Sequence, residues 1–161
     1  MVSHILLAGD CDPTISVGGI LPAIGGNIRV GNSETFVTEA CEYTNSFLSF
    51  FPKISIILNM DADHLDFFKD IDDIRHSFRR FAELLPADGT LIINADTPKY
   101  EDIIRNLPCN VITYGLEHDA DYQAADITYD KYGHASFSVL RNGVKVGSCL
   151  LYTSPSPRDC S

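Results

Sequence analysis

Tryptophan is absent from the 161 residues, methionine occurs twice, and no two of the five cysteines stand in a C-x-x-C pair. Cys11, Cys41, Cys109, Cys149 and Cys160 are odd in number and scattered, which reads as reduced thiols and excludes a disulfide framework or a cysteine zinc site. Basic residues are scarce: 12 Lys and Arg stand against 22 Asp and Glu, a net charge of -10. That balance argues against a nucleic-acid partner, because such binding depends on cations neutralising phosphates. No apolar run approaches the length of a bilayer span and no basic stretch precedes an apolar one at the start, so neither a membrane partner nor a leader is predicted and the location is read as cytoplasmic. Finally, none of the five lysines (Lys53, Lys69, Lys99, Lys131, Lys145) follows a glycine, so the phosphate loop G-x-x-x-x-G-K-[ST] does not occur. A phosphate ligand would have to be met by backbone amides or a metal ion.

What is present is ordinary for a folded chain: 45% hydrophobic and 21% charged residues, at a length that suits one domain with a core. "MVSHILLAG" reads as a short helix and "TISV" (Thr14 to Val17) as a strand, while the glycines and Pro22 of Gly18 to Gly31 predict no regular element. "ETFVTEA" and "KISIILN" are continuously apolar, the pattern of parallel strands covered on both faces, with "NSFLSF" as a helical connection between them. Phe47, Phe50 and Phe51 are read as core. Ile71, Ile74, Phe78 and Phe81 recur at helical spacing behind Asp70 as cap. "GTLIIN" (Gly89 to Asn94) and "NVITYG" are further strands around a helix opened by Thr97 and Pro98. From Asp121 to Ser148 the pattern alternates in twos around an Asn142-Gly143 turn. The fold class is α/β: a mostly parallel sheet flanked by helices, with a small antiparallel β appendage.

Acids and amides gather where strands end. Glu39 and Glu42 follow "TFVT", Asn59 to Asp66 ("NMDADHLD") follow "SIIL", and Asn94 with Asp96 follow "TLII"; in a wound sheet, ligands bind beyond the carboxyl ends of strands, where these groups would converge. Like-charged carboxylates need a cation to offset their repulsion. Magnesium fits, since it takes a few oxygen ligands and keeps its waters, and His64 would ligate it or orient a bound water. The competing readings are a solvated loop whose aspartates cap the next helix, a magnesium-dependent phosphohydrolase using Asp61, Asp63 and His64, and a non-catalytic interaction domain. Cys41 lies in the same region but is read as a buried thiol rather than a nucleophile.

At "GGILPAIGGN" (Gly18 to Asn27), "TEACEYTNSFL" (Thr38 to Leu48), "ILNMDADHLD" (Ile57 to Asp66), "INADTP" (Ile93 to Pro98) and "TYG" (Thr113 to Gly115), the chain resembles the central domain of the Mur ligases, a P-loop-type fold. The match covers residues 1 to 148 in order and spacing. The resemblance implies an ATP-dependent amide ligase of peptidoglycan synthesis, in which ATP phosphorylates the carboxylate of UDP-N-acetylmuramate and the amine of L-alanine attacks the acyl phosphate; murein tripeptide recycling is the nearer rival. By motif position it implies Glu39 and His64 as catalytic magnesium ligands, Asn59 and Asp66 as residues holding that loop and its ion, and Gly18 and Gly19 against the nucleotide-sugar substrate.

The chain also departs from the family. Many members read E-A-D-E-S where this one has Cys41 and Tyr43 at the third and fifth positions. The family's phosphate loop, expected just before "SHILLAG", is missing, as are the later H-N motif and the C-terminal domain. The string Cys149 to Ser161 ("CLLYTSPSPRDCS") reads as a translated library adapter. Residues 1 to 148 are thus read as an incomplete central domain, and the isolated chain is expected neither to bind ATP tightly nor to form the amide bond.

Overall fold

The computed structural model describes residues 1 to 151. They form two compact units, Met1–Ala40 with Leu151 and Cys41–Leu150.

The first unit opens with helix α1 (Val2–Ala8) and holds a three-stranded sheet in the order β2-β1-β3. Strand β1 (Thr14–Leu21) continues through Gly18 and Gly19, where the glycine content predicts no element, and pairs antiparallel with β2 (Gly26–Arg29). A 3₁₀ turn at Pro22–Ile24 and Gly25 at φ +69° close this hairpin, a backbone position that glycine adopts without steric cost. The ladder is interrupted between Ser16 and Leu21, which is how a strand can carry two glycines without losing its partner. Strand β3 (Phe36–Thr38) lies parallel to β1. Ile15 and Leu21 are buried here. Asp12 secures the connection: its carboxylate pairs with the Arg29 guanidinium and accepts from the backbone and side-chain nitrogens of Asn32 at 2.9 Å each. The Arg29 bond, then those from Asn32, hold the Asp12 carboxyl down at about 2.

The second unit is a six-stranded sheet in the order β4-β5-β6-β7-β8-β9. Strands β4 (Ile54–Ile57), β5 (Thr90–Asn94), β6 (Asn110–Gly115) and β7 (Tyr122–Tyr129) run parallel in succession; β8 (Ala135–Arg141) and β9 (Val144–Leu150) complete it as antiparallel strands. This is the predicted α/β sheet with its antiparallel appendage, and the Asn142-Gly143 turn is where the sequence signals it. Strand β9 runs on through Cys149 and Leu150, both paired with β8; the rest of the adapter-like string, 152–161, lies outside the described residues.

Coverage of the sheet is uneven. Ser55, Ile57, Leu91 and Ile93 are at most 3% exposed, whereas Ile54 and Ile56 on the alternate face of β4 are 63% and 41% exposed. Apolar content predicts β4 covered on both sides, but among the described residues only the face carrying Ser55 and Ile57 is covered. Helix α2 (Ile71–Ala82) buries Ile74, Ser77, Phe81 and Ala82 and packs against α3 (Tyr100–Ile104). Asp70 caps α2 by accepting from Asp72 N at 3.1 Å and Asp73 N at 2.9 Å, with Asp72 and Asp73 in the first turn and Arg79 and Arg80 in the last, each sign at its favourable end. A 3₁₀ segment at Tyr43–Ser49 drives Phe47 into this core, stacked on Phe81 at 4.6 Å and edge-on to Phe78 at 5.4 Å. Phe51, also read as core, is 98% exposed: it lies beyond the turn that aims Phe47 inward.

Candidate functional site

In the first unit the site residue is Glu39. Its backbone N–H donates to Ser16 O at 3.1 Å, which carries the parallel pairing of β1 and β3 one residue past Thr38. The side chain then meets β1 at Gly18, whose N–H donates to Glu39 Oε2 at 2.7 Å. A Cβ at position 18 would stand 2.9 Å from that oxygen, so the carboxylate can seat there only over a glycine. Nothing among the described residues lies within 4 Å of a Cβ built on Gly19; packing among them does not require a glycine at that position. Two residues singled out by sequence, Gly18 and Glu39, are therefore in direct contact.

In the second unit the parallel pairing of β4 and β5 brings their carboxyl ends to the same edge. From there run the loop 58–70 and the turn 94–99. His64 sits in the loop at φ +53°, a left-handed conformation that costs a non-glycine residue energy and needs support from its surroundings. The amides of Phe67 and Phe68 both donate to His64 O at 2.9 Å, and Phe68 is buried. The imidazole lies 4.6 Å from the Tyr43 ring, tilted by 32°, with Nε2 3.4 Å from Glu42 Oε1. The Tyr43 hydroxyl donates to Asp66 Oδ2 at 2.7 Å. That bond raises the phenol above its ordinary value, keeping it protonated as a donor. Asn59 is exposed beside buried Met60. Asp61 and Asp63 are exposed, and Asp63 accepts from the His64 N–H at 2.7 Å.

Asp96, grouped with these acids by sequence, is engaged in the fold. Its carboxylate accepts from the amides of Leu116 (2.6 Å), His118 (2.9 Å) and Glu117 (3.1 Å) and meets His118 Nδ1 at 2.9 Å. Burial pushes this carboxyl up, but the donors outweigh it and hold it at about 2. Gly115 makes room, since a Cβ there would lie 3.1 Å from Asp96 Oδ1. Cys41 differs too: its thiol is exposed, while its carbonyl accepts from Phe47 N and Ser46 Oγ.

A shallow depression of about 230 Å³ lies on α2 and α3, lined by Asp72, Arg75, His76, Arg79, Lys99 and Asp102. Its cations are already used. Arg79 donates to Glu83 and to the carbonyls of Ile103 and Arg105, and Arg75 and Lys99 both pair with Asp72. This is the seam between two helices.

Among the described residues no three His, Cys, Asp or Glu side chains are grouped as a ready metal cage. Taken unit by unit, the groups are of kinds that magnesium accepts, since it binds through one or two carboxylates together with waters and substrate phosphates. The first unit offers the Glu39 carboxylate, and the second the His64 imidazole flanked by Glu42. Sequence reasoning overlooked Tyr43 as a contact of the His64 loop; the one signal for it was its place in E-A-C-E-Y, directly after Glu42, one of the acids that follow β3.

Residues 21–150 match the family model for the Mur ligase middle domain. The chain is 60% identical over 152 residues to the UDP-N-acetylmuramate–L-alanine ligase of Lachnospira eligens, covering 94% of this chain and 33% of that protein. With its namesake from Agathobacter rectalis it shares 58% over 143 residues, covering 89% and 31%. Among solved structures, the MurC ligase of Thermotoga maritima superposes with a TM-score of 0.78 over 95% of this chain and 33% of that one; at 22% identity this speaks for the fold alone. The UDP-N-acetylmuramate:L-alanyl-γ-D-glutamyl-meso-diaminopimelate ligase from Neisseria meningitides gives a TM-score of 0.75 at 25% identity, over 89% of this chain and 48% of that one. The chain thus spans about a third of the length of the curated relatives it matches, and by the family model that covers most of it, it belongs to the Mur ligase middle-domain family.

Proposed function

We propose that this chain is the central part of an ATP-dependent ligase that joins L-alanine to UDP-N-acetylmuramate through an acyl phosphate. The observation that carries the reading is the 60% identity over 152 residues to a relative named for that reaction. In this reading Glu39 supplies a carboxylate ligand and His64 a nitrogen ligand for magnesium, which when bound offsets the negative charge of the transferring phosphoryl group. The Gly18 amide holds the Glu39 carboxylate in one orientation. Asn59 and Asp66 keep the His64 loop and its ion in place, and Gly18 and Gly19 approach the nucleotide-sugar, Gly18 with its amide already given to Glu39 and Gly19 with space where a side chain would stand. Phosphoryl transfer needs mainly such positioning, so fixed side chains contribute more than acid or base strength.

The test is a chimera in which this sequence replaces the aligned segment of the Lachnospira eligens ligase. The expected result is ADP release that requires both UDP-N-acetylmuramate and L-alanine, lowered on the order of 100-fold or more by Glu39→Ala or His64→Ala. A folded chimera that turns over neither substrate would overturn the reading. A phosphohydrolase using Asp61, Asp63 and His64 would instead release phosphate without an amine acceptor.

A further inference from the structure

The geometry points to Tyr43 as the positioning residue that fixes the His64 imidazole and its loop, with the Glu42 carboxylate beside the ring at 3.4 Å; this rests on the magnesium role proposed for His64. Two contacts leave one side chain. The Tyr43 ring lies against the imidazole at 4.6 Å, and its hydroxyl binds Asp66 at 2.7 Å, two residues further along the same loop. Phe67 meets the same ring edge-on at 6.1 Å. Tyr43 thus grips the loop at residues 64, 66 and 67, around the strained left-handed turn at His64.

A clamp is useful only if it is itself held, and the backbone around Tyr43 is tied down several times. Phe47 N donates to Cys41 O at 3.0 Å, Asn45 N to Glu42 O at 2.9 Å, and Ser46 Oγ to both Cys41 O and Tyr43 O. Thr44 and Asn45 both adopt positive φ, at 55° and 59°, and the Asn45 side chain accepts from Ser77 on α2. Phe47, 1% exposed, anchors the turn in the core. Tyr43 and Glu42 are therefore delivered to His64 from the rigid side of the unit. Tyr43 itself is 38% exposed, so its removal opens no core cavity; its contacts serve the loop. Partners of this kind around a metal-binding imidazole set ring orientation, and their loss typically costs about 10- to 100-fold in metal affinity.

The experiment uses the 161-residue chain with ¹³C-labelled histidine, the His64 signal being assigned by its loss in His64→Gln. Manganese serves as the probe, through its broadening of that signal. In the unsubstituted chain the Tyr43 ring current should shift the His64 ring protons upfield without metal. Tyr43→Phe should keep that shift, and Tyr43→Ala should abolish it and weaken manganese binding about tenfold, with a melting midpoint unchanged to within about 2 °C. A His64 shift unaffected by Tyr43→Ala, or a lost shift with unchanged manganese affinity, overturns the positioning role alone. A collapse of the melting midpoint in both variants makes Tyr43 a structural residue and also overturns it. Absence of manganese broadening at His64 in the unsubstituted chain overturns the magnesium role, and this inference with it.

Discussion

The Gly18 amide donates to Glu39 Oε2 at 2.7 Å, over a backbone where a Cβ would stand 2.9 Å from the same oxygen. One missing methyl group therefore sets where a carboxylate sits. Gly18→Ala should displace the Glu39 side chain while leaving β1 intact, since the position is exposed. The expected outcome in the chimera is a rise of about tenfold in the magnesium concentration for half-maximal rate, with thermal unfolding shifted by less than about 2 °C. A magnesium titration of the ligase rate beside a melting curve separates the two.

Gly31 is a stricter case. A Cβ there would fall 2.1 Å from Asp12 O and 2.5 Å from the Pro13 carbonyl carbon, both backbone atoms that cannot swing aside. Gly31→Ala should destabilise the first unit by about 3 kcal/mol, at the upper end of overpacking costs. Hydrogen exchange at β1 and β2 amides reads it out, with the second unit as internal control.

Asp96 predicts an acid-sensitive fold. Its folded-state carboxyl is held at about 2 from a usual 3.8, so the stability it contributes is fully present above the unfolded value and is lost as pH falls from about 4 towards 2. Asp96→Asn should remove that acid-dependent component and cost about 2 kcal/mol at neutral pH, because the amide offers fewer acceptor sites to the same donors. Urea unfolding at pH 7 and at pH 3 should show the gap between variant and parent narrowing in acid.

Phe47 tests the core beneath the His64 loop. Being 1% exposed and stacked on Phe81, it should cost about 3 to 5 kcal/mol as Phe47→Ala. Denaturant unfolding followed by far-UV circular dichroism gives the value, and a loss under about 1 kcal/mol would contradict the packing described.

No G-x-x-x-x-G-K-[ST] occurs in this sequence, and the 161-residue chain alone should therefore show no saturable ATP binding up to about 1 mM, a free energy near -4 kcal/mol. Calorimetric titration in the presence of magnesium checks this.

The periodic parts of the fold were legible in the sequence. Asp70 as cap, the Ile71 to Phe81 spacing, the strands at Gly89 to Asn94 and Asn110 to Gly115, and the Asn142-Gly143 turn all announce themselves through local rules. The β1–β2 hairpin did not, because Gly18, Gly19 and Pro22 read as breakers, whereas long-range pairing across Gly25 holds the strand. The open face of β4 was equally hidden: apolar content reports what a strand could bury, and what packs on each face decides what it does bury. Residue types at strand ends marked Glu39 and His64 as candidates and Asp96 with them, but could not show that Asp96 already has partners in the fold. A carboxylate in sequence looks the same whether it awaits a cation or is already taken by three amides.

That cradle has a consequence for ligand competition. Three successive N–H groups at Leu116, Glu117 and His118 make the kind of concave anion receptor that elsewhere grips phosphate. Here the chain supplies its own guest, tethered at an effective concentration that dissolved anions do not reach. A phosphate-bearing ligand brought to the strand ends would find this receptor occupied, so any affinity of the edge for phosphate is left to groups that are not already satisfied.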